Sequence, residues 1–219
     1  MTRKLTCLTF ALILLSANSF AEEIDEIVVL EKKLSSLSGW SNNQSISAIN
    51  QEELEKLDAQ HPKQIFRRSS GVWISRGSGQ EHLTAIRSPV LTGPGACGSF
   101  LVLEDGIPIR PSGFCNVNGL FETFYEMSSG VEIITGPASS RYGANAMHGV
   151  INILSKPIES DNRFYVNAGP NNYKNFKIRA SNNLDWSFDG FFANNDGFRD
   201  QSGYDQQKIR LQSKFDLNE

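Results

Sequence analysis

Residues 131–156, VEIITGPASSRYGANAMHGVINILSK, constrain this chain more than any other stretch. Val131-Glu132-Ile133-Ile134 opens it as a short alternating strand. Gly136-Pro137 turns the backbone, and small residues carry it to Tyr142-Gly143. Val150-Ile151-Asn152-Ile153-Leu154 then returns as a second apolar strand. Glycine and proline stand where a compact, sharply bent backbone needs them. The residues imply a buried two-strand unit with a tight crossover.

The first 21 residues read as an export signal. Arg3 and Lys4 form its charged start, 5–15 its apolar core, and Ser19 and Ala21 are small at the positions a signal peptidase reads. A buried first helix is the alternative. Outside this leader no apolar run reaches 18 residues, so no transmembrane helix is expected. The chain carries 21 Lys+Arg against 24 Asp+Glu, and losing Arg3 and Lys4 with the leader takes the net charge from −3 to −5. A nucleic-acid partner is excluded, because it would need a basic face. Cys7 belongs to the leader, which leaves Cys97 and Cys115. An even count in an exported chain predicts a disulfide. It would act as a staple, closing a loop of about 19 residues and contributing roughly 3 kcal/mol.

Acidic residues lead into a β-branched run over 24–30, a segment able to add itself as a strand to another protein's sheet edge. A polar linker follows over 31–43. The globular part opens with a strand over 45–49. Asn50 caps a helix over 51–57, with Glu53 completing a capping-box-like pattern. Pro62 starts a second helix, through Arg68, which Gly71 ends. Strands are expected over 72–75, 83–87 and 100–103. Asp105-Gly106 turns the last of these into Ile107-Pro108-Ile109. Loops occupy 89–98 and 110–118, and one short helix is expected over 120–127. Beyond Pro157 the period becomes two. Phe164, Val166 and Ala168, then Phe176, Ile178 and Ala180, then Trp186, Phe188 and Phe192, then Ile209, Leu211, Phe215 and Leu217 alternate with polar residues. Four antiparallel strands of about ten residues with one apolar face fit a membrane β-barrel wall. A soluble sandwich gives the same alternation.

Glu132-Ile-Ile-x-Gly136-Pro-x-Ser-x-x-Tyr142-Gly, followed by Gly149-Val-Ile-Asn-Ile, closely resembles the plug signature of TonB-dependent outer-membrane receptors. Leu103-Glu-Asp-Gly-Ile-Pro108 and Ala85-Ile86-Arg87 resemble the same family. Thr135 stands where the family usually carries a basic residue, Ser88 where it continues with glycine, and Met147-His148 where small residues are common. The resemblance implies an α+β plug domain, a small mixed sheet with short helices, over 45–157. Before it come the signal peptide, 1–21, and a TonB-box segment and linker, 22–44. After it, 158–219 would be the first four antiparallel β-strands of an incomplete transmembrane β-barrel, which decides against the sandwich. Four strands cannot close a barrel, and lipid does not tolerate an open edge; the chain is therefore expected to be truncated.

The implied function is active uptake of a scarce nutrient, a ferric siderophore or another metal chelate, by an outer-membrane receptor that is not an enzyme. A barrel-less plug acting as a periplasmic binding module is the alternative. The implied partners are TonB, energised by the inner-membrane ExbB–ExbD complex, outer-membrane lipid and the chelate; no cofactor is expected. TonB would be engaged from the periplasm by Ile24, Asp25, Glu26, Ile27, Val28 and Val29.

Ligand contacts are expected from outward plug loops, at Ser78, Gln80, Thr92, Ser99, Arg110, Ser112 and Asn116, although the same composition serves turn chemistry. A Cys97–Cys115 bridge would pre-order two of these loops and lower the ordering cost of binding. Arg87 matches a family arginine that looks toward acidic residues of the barrel wall and is the expected plug–barrel lock; a solvated strand residue is the other reading. His61, His82 and His148 are scattered without ligand spacing, so no metal site is expected. The glycines of 93–99 have no lysine before Ser99 and do not make a phosphate loop. Gly-x-Ser-x-Gly does not occur. Glu104, Asp105, Glu122 and Glu126 sit at turns and helix flanks without forming an acid–base pair.

Overall fold

The computed structural model describes residues 45–88, 99–111, 113–182 and 185–215. The leader and the 24–29 segment lie outside them. The two signature strands are β6 (Ser128–Thr135) and β7 (Gly149–Ser155), paired antiparallel with Val131 opposite Ile153 and Ile133 opposite Ile151. β1 (Ser45–Asn50) lies antiparallel on the free side of β6. β4 (Phe100–Glu104) lies parallel to β7, and β5 (Ile107–Pro108) closes the far edge. The sheet order is β1-β6-β7-β4-β5.

Both faces of this sheet are covered, which explains why β7 is apolar on both sides over 150–154 apart from Asn152. One face buries Val102, Val131, Ile133, Ile151 and Ile153 against Leu54, Ile65, Phe66 and Ile86. The other buries Leu101, Leu103, Ile134 and Val150 against Ala138 and Ala146. Gly149 is required where β7 begins: a Cβ there would sit 2.5 Å from the Ile134 carbonyl oxygen and 2.6 Å from Ile86 Cγ2. The 136–148 crossover folds back on itself, with Gly136 N donating to His148 O and Ala138 N to Ala146 O, both at 2.8 Å.

The Asp105-Gly106 turn has positive φ at both residues, 51° and 83°, the geometry a two-residue hairpin needs. It is fastened to β7. Asn152 Oδ1 accepts from Gly106 N at 2.9 Å while its Nδ2 donates to Glu132 Oε2 at 2.8 Å, and Ser155 N donates to Asp105 Oδ1 at 2.8 Å. The two sequence motifs are thus one hydrogen-bonded unit.

Helix α1 (Gln51–Leu57) starts where Asn50 Oδ1 accepts from Glu53 N at 2.9 Å. Helix α2 (Pro62–Phe66) has Pro62 at its start but ends earlier than expected. β2 (Val72–Ile74) and β3 (Thr84–Ile86) form a separate hairpin. The single helix expected over 120–127 is broken into α3 (Gly119–Glu122) and a 3-10 turn, Tyr125–Met127. Thr123 causes the break: it is extended, and its Oγ1 donates to Leu120 O at 2.8 Å, taking up a carbonyl the helix would have used. Helix α4 (Ser139–Tyr142) lies in the crossover.

Four strands, β8 (Arg163–Gly169), β9 (Tyr173–Ser181), β10 (Trp186–Asn195) and β11 (Tyr204–Ser213), form a second, wholly antiparallel sheet. β11 starts earlier than the apolar alternation indicated, because its first rungs are polar pairs: Asn195 opposite Tyr204, and Asn194 bonded to Asp205 at 2.7 Å. Phe164, Val166, Ile209 and Leu211 occupy the outer face, each at least 65% exposed. The inner face carries Arg179, Asp189, Lys177, Lys208 and Arg210 and lies against the first sheet's domain. Mixed sheet with short helices, then an unclosed antiparallel sheet, is the fold the sequence implied.

The connector between the two sheets is tied down along its length. Arg179 donates to Pro157 O and holds Asp189 through Nη1 at 2.7 and 3.0 Å. Ser181 Oγ donates to Glu159 O and accepts from Asp161 N at 3.0 Å, and Lys156 reaches Glu55 at 3.0 Å.

Candidate functional site

Antiparallel order brings the β8–β9 turn, 170–172, and the β10–β11 loop, 196–203, to the same end of the second sheet. The β2–β3 loop, 75–83, meets them there. Between these three segments lies a cavity of about 400 Å³, lined by Gln60, Arg76, Ser78, Asn171, Asn195 and Phe198 among others. Ser78 Oγ accepts from the Arg199 guanidinium, joining loop to loop. Glu81 shapes the turn by accepting from Gly79 N at 2.7 Å; that amide holds its carboxyl below the ordinary value. The arrangement offers hydroxyl, amide and guanidinium groups around an open space and no nucleophile–base pair, so it suits binding.

The other expected contact residues divide. Gln80 is buried, and its Nε2 donates to Gln60 O at 2.7 Å. Asn116 is buried, with Nδ2 donating to Phe100 O at 2.8 Å. Both side chains face inward and brace the loops. Arg110 is clasped by Glu122 at 2.9 Å and by the carbonyls of Cys115 and Val117. Glu122 raises the Arg110 pKa, so this guanidinium is held in place. The Ser99 carbonyl accepts from His148 N at 2.9 Å. Cys115 is disulfide-bonded. Cys97, Thr92 and Ser112 lie outside the described residues.

Arg87 is exposed and left-handed at φ 46°. Its amide donates to Gly71 O at 2.8 Å and its side chain lies over Gly71. It makes no ion pair among the described residues. The contacts joining the two sheets run with the opposite charge order, acids on the first domain and cations on the strands. Lys208 Nζ bonds Glu126 Oε1 and Oε2 at 2.8 and 2.9 Å and Thr123 O at 2.6 Å, and stands 4.8 Å from the Tyr125 ring centroid. Arg210 pairs with Glu104 over the Phe124 ring. Lys177 and Asn167 both hold Asp58. Burial pushes the Asp58 carboxyl up, but the Lys177 ammonium and its hydrogen bond outweigh it, so the net shift is down. Alternation put these cations on the polar face; no local signal identified their partners, which lie 82 to 119 positions away.

Two of the histidines also meet where spacing gave no hint. His61 and His82 are fully buried, edge to face, with ring centroids 5.9 Å apart. His61 caps α2: its Nδ1 accepts from Lys63 N at 3.0 Å, while Gln64 Oε1 accepts from His61 N at 3.0 Å. His82 is held by Asn118 Oδ1 at its amide, 2.7 Å, and by Gln80 O at Nδ1, 3.1 Å. Among the described residues no group of three metal-ligating side chains forms.

A family model described as the TonB-dependent receptor plug domain matches residues 40–150. Among solved structures, the FpvAI–pyocin S2 complex matches at 19% identity and TM-score 0.63, over 80% of this chain and 24% of that one. The Serratia marcescens hemophore receptor HasR, in complex with its hemophore HasA and heme, matches at 17% identity and TM-score 0.57, over 76% and 28%. The ferric yersiniabactin uptake receptor FyuA from Yersinia pestis matches at 17% and 0.52, over 71% and 24%. At these identities the likeness is one of fold. The chain spans about a quarter of the length of these structures.

Proposed function

Because the chain belongs to the TonB-dependent receptor plug family, we propose that it supplies the plug and four wall strands of an outer-membrane receptor for active uptake of a scarce nutrient. The two-faced second sheet carries this reading. Its outer rows, from Phe164 to Leu211, present apolar side chains to the surroundings, while its inner rows grip the plug through Lys177, Lys208 and Arg210. Such a sheet suits lipid on one side and a plug on the other. The same exposed rows disfavour a barrel-less module free in the periplasm, where they would drive aggregation.

The ligand class is a bulky metal chelate, a ferric siderophore first, in keeping with the ferric yersiniabactin and heme named for two of the matched structures. It is received by the loops around the cavity at Arg76 and Ser78, with the Cys97–Cys115 bridge ordering the neighbouring loops. Segment 24–29 engages TonB, and Arg87 meets wall acids of the assembled barrel.

The test is uptake in cells carrying the receptor with 25–29 deleted. Transport is expected to vanish while binding of the ferric chelate at the cell surface persists. Transport that survives the deletion overturns the TonB-driven reading. Recovery of the product as soluble periplasmic protein overturns the outer-membrane one.

A further inference from the structure

The His61–His82 contact sits at the root of the loop that carries Ser78, and the ligand-receiving role above does not use it. The ring protons are placed by their partners. His61 Nδ1 accepts from the Lys63 amide, so its proton is on Nε2. His82 Nδ1 faces the Gln80 carbonyl and must donate, so its Nε2 is bare. His82 Nε2 is buried and unpartnered among the described residues, and His61 Nε2, buried without a close partner, lies toward the Glu81 backbone carbonyl. Each ring is therefore held as a neutral imidazole.

The surroundings oppose a proton on either ring. His61 faces Lys63 of α2 and Arg76 of the loop, and His82 faces Arg110 after β5 and Lys208 of β11. The nearby carboxylates are engaged elsewhere: Glu81 is exposed and accepts from the Gly79 amide, Glu122 pairs with Arg110, and Glu126 pairs with Lys208. Protonation has a direct mechanical result. A proton taken up at His61 Nδ1 removes the acceptor that caps α2 and sets two donors against each other. A proton at His82 Nε2 places a cation in a sealed site with no acceptor. The ring contact lies between the bonds that hold loop 75–83: the His61 ring caps α2 through the Lys63 amide, the His82 ring bonds Gln80 O within the loop, and beside them the His82 amide donates to Asn118 and Gln80 Nε2 to Gln60 O.

We propose that the His61–His82 pair is an acid-released catch on loop 75–83: protonation of either ring frees the loop from α2 and opens the cavity that it lines. The ligand-regulating sense of this catch rests on the receptor reading above; the catch itself does not. Burial first, then the charge of Arg76, lowers His61 from 6.5 to about 4, and burial lowers His82 as well. With the folded value depressed, the closed loop is fully favoured above about pH 6.5. It loses ground as pH falls toward 4. For an opened ring that titrates at 6.5, one histidine shifts the balance toward the open loop by about 70-fold at pH 4.5.

The experiment is amide hydrogen exchange of the intact chain in detergent micelles at pH 7.5 and 4.5, each corrected for intrinsic chemical exchange. Protection over 75–83 is expected to fall by about 70-fold at pH 4.5 while β6 and β7 stay protected. In His61→Asn/His82→Asn, whose amides can replace Nδ1 as acceptor and donor without titrating, the loop is expected to respond little to pH. A wild-type loop still closed at pH 4.5, or an equal loss in the double variant, overturns the proposal. Histidine-ring NMR of the wild type gives a second check that needs no variant: both rings neutral at pH 6 supports the catch, and a His61 or His82 ring already charged there overturns it. No ligand is involved, so failure here leaves the receptor reading standing, and failed uptake leaves the catch standing.

Discussion

Glu126 and Lys208 are 82 positions apart in sequence and are joined by two hydrogen bonds of 2.8 and 2.9 Å, with the Glu126 side chain only 1% exposed. Breaking one partner of a buried pair strands the other, at a cost of about 3 kcal/mol. Glu126→Gln is therefore expected to lower the urea midpoint of plug unfolding by that equivalent. Replacing both, Glu126→Gln with Lys208→Met, is expected to recover part of the loss because no buried charge remains. A double variant that is less stable than the worse single variant contradicts this account.

Gly149→Ala tests a very close approach of backbone in the plug. The added carbon would meet backbone at 2.5 Å; the Ile134 carbonyl is fixed in the interior strand β6, and Ile86 is wholly buried on the covering hairpin, so neither can easily retreat. Overpacking of this kind costs about 3 kcal/mol. Thermal unfolding should show a clearly lowered midpoint, and an unchanged midpoint would show that β7 can shift along β6.

Asn152→Leu keeps a similar volume and removes both bonds that couple β7 to the hairpin turn and to Glu132. Gly106 N and Glu132 Oε2 then lose their partners, and a buried orphan costs about 2 kcal/mol. Amide exchange at Gly106 should rise well above that of neighbouring β4, and equal protection in variant and wild type would contradict the coupling.

Acid should loosen the plug's grip on β9. The folded Asp58 carboxyl is held below its ordinary 3.8 by Lys177 in spite of burial. Its contribution is thus present above that value and is lost as pH falls below it. Lys177→Met is expected to remove this dependence and to lower plug stability already at pH 7. A stability curve below pH 4 that is identical in both proteins would contradict the assignment.

Local chemistry was legible in the sequence where the responsible residues are neighbours. Asn50 announces α1, Pro62 announces α2, and Asp105-Gly106 announces its hairpin, because a cap, a fixed φ and a positive φ are properties of one or two residues. The β6–β7 unit was equally plain. Less legible were features decided by distant groups. Thr123 cuts the 120–127 helix by taking the Leu120 carbonyl, an outcome that apolar spacing cannot register. β11 starts on polar rungs that carry no period-two apolar signal. His61 and His82, 21 positions apart, meet only because α2 and the β2–β3 hairpin share one core face. Gln80 and Asn116 have the composition of surface loops, yet their amides complete backbone hydrogen bonds inside. The pairing of Lys177, Lys208 and Arg210 with Asp58, Glu126 and Glu104 required the fold.

The riveted connector has a mechanical consequence. Pro157 is held by Arg179, which is itself locked to Asp189, and Lys156 is held by Glu55, so the plug and wall share a fixed heel at this point. A load applied at the far end of the plug sheet, through Ser45 on edge strand β1, acts on a lever whose pivot is Pro157. The sheet can swing about that heel or peel from its β1 side. Leaving as a single cork would require Arg179 and Ser181 to release the connector first.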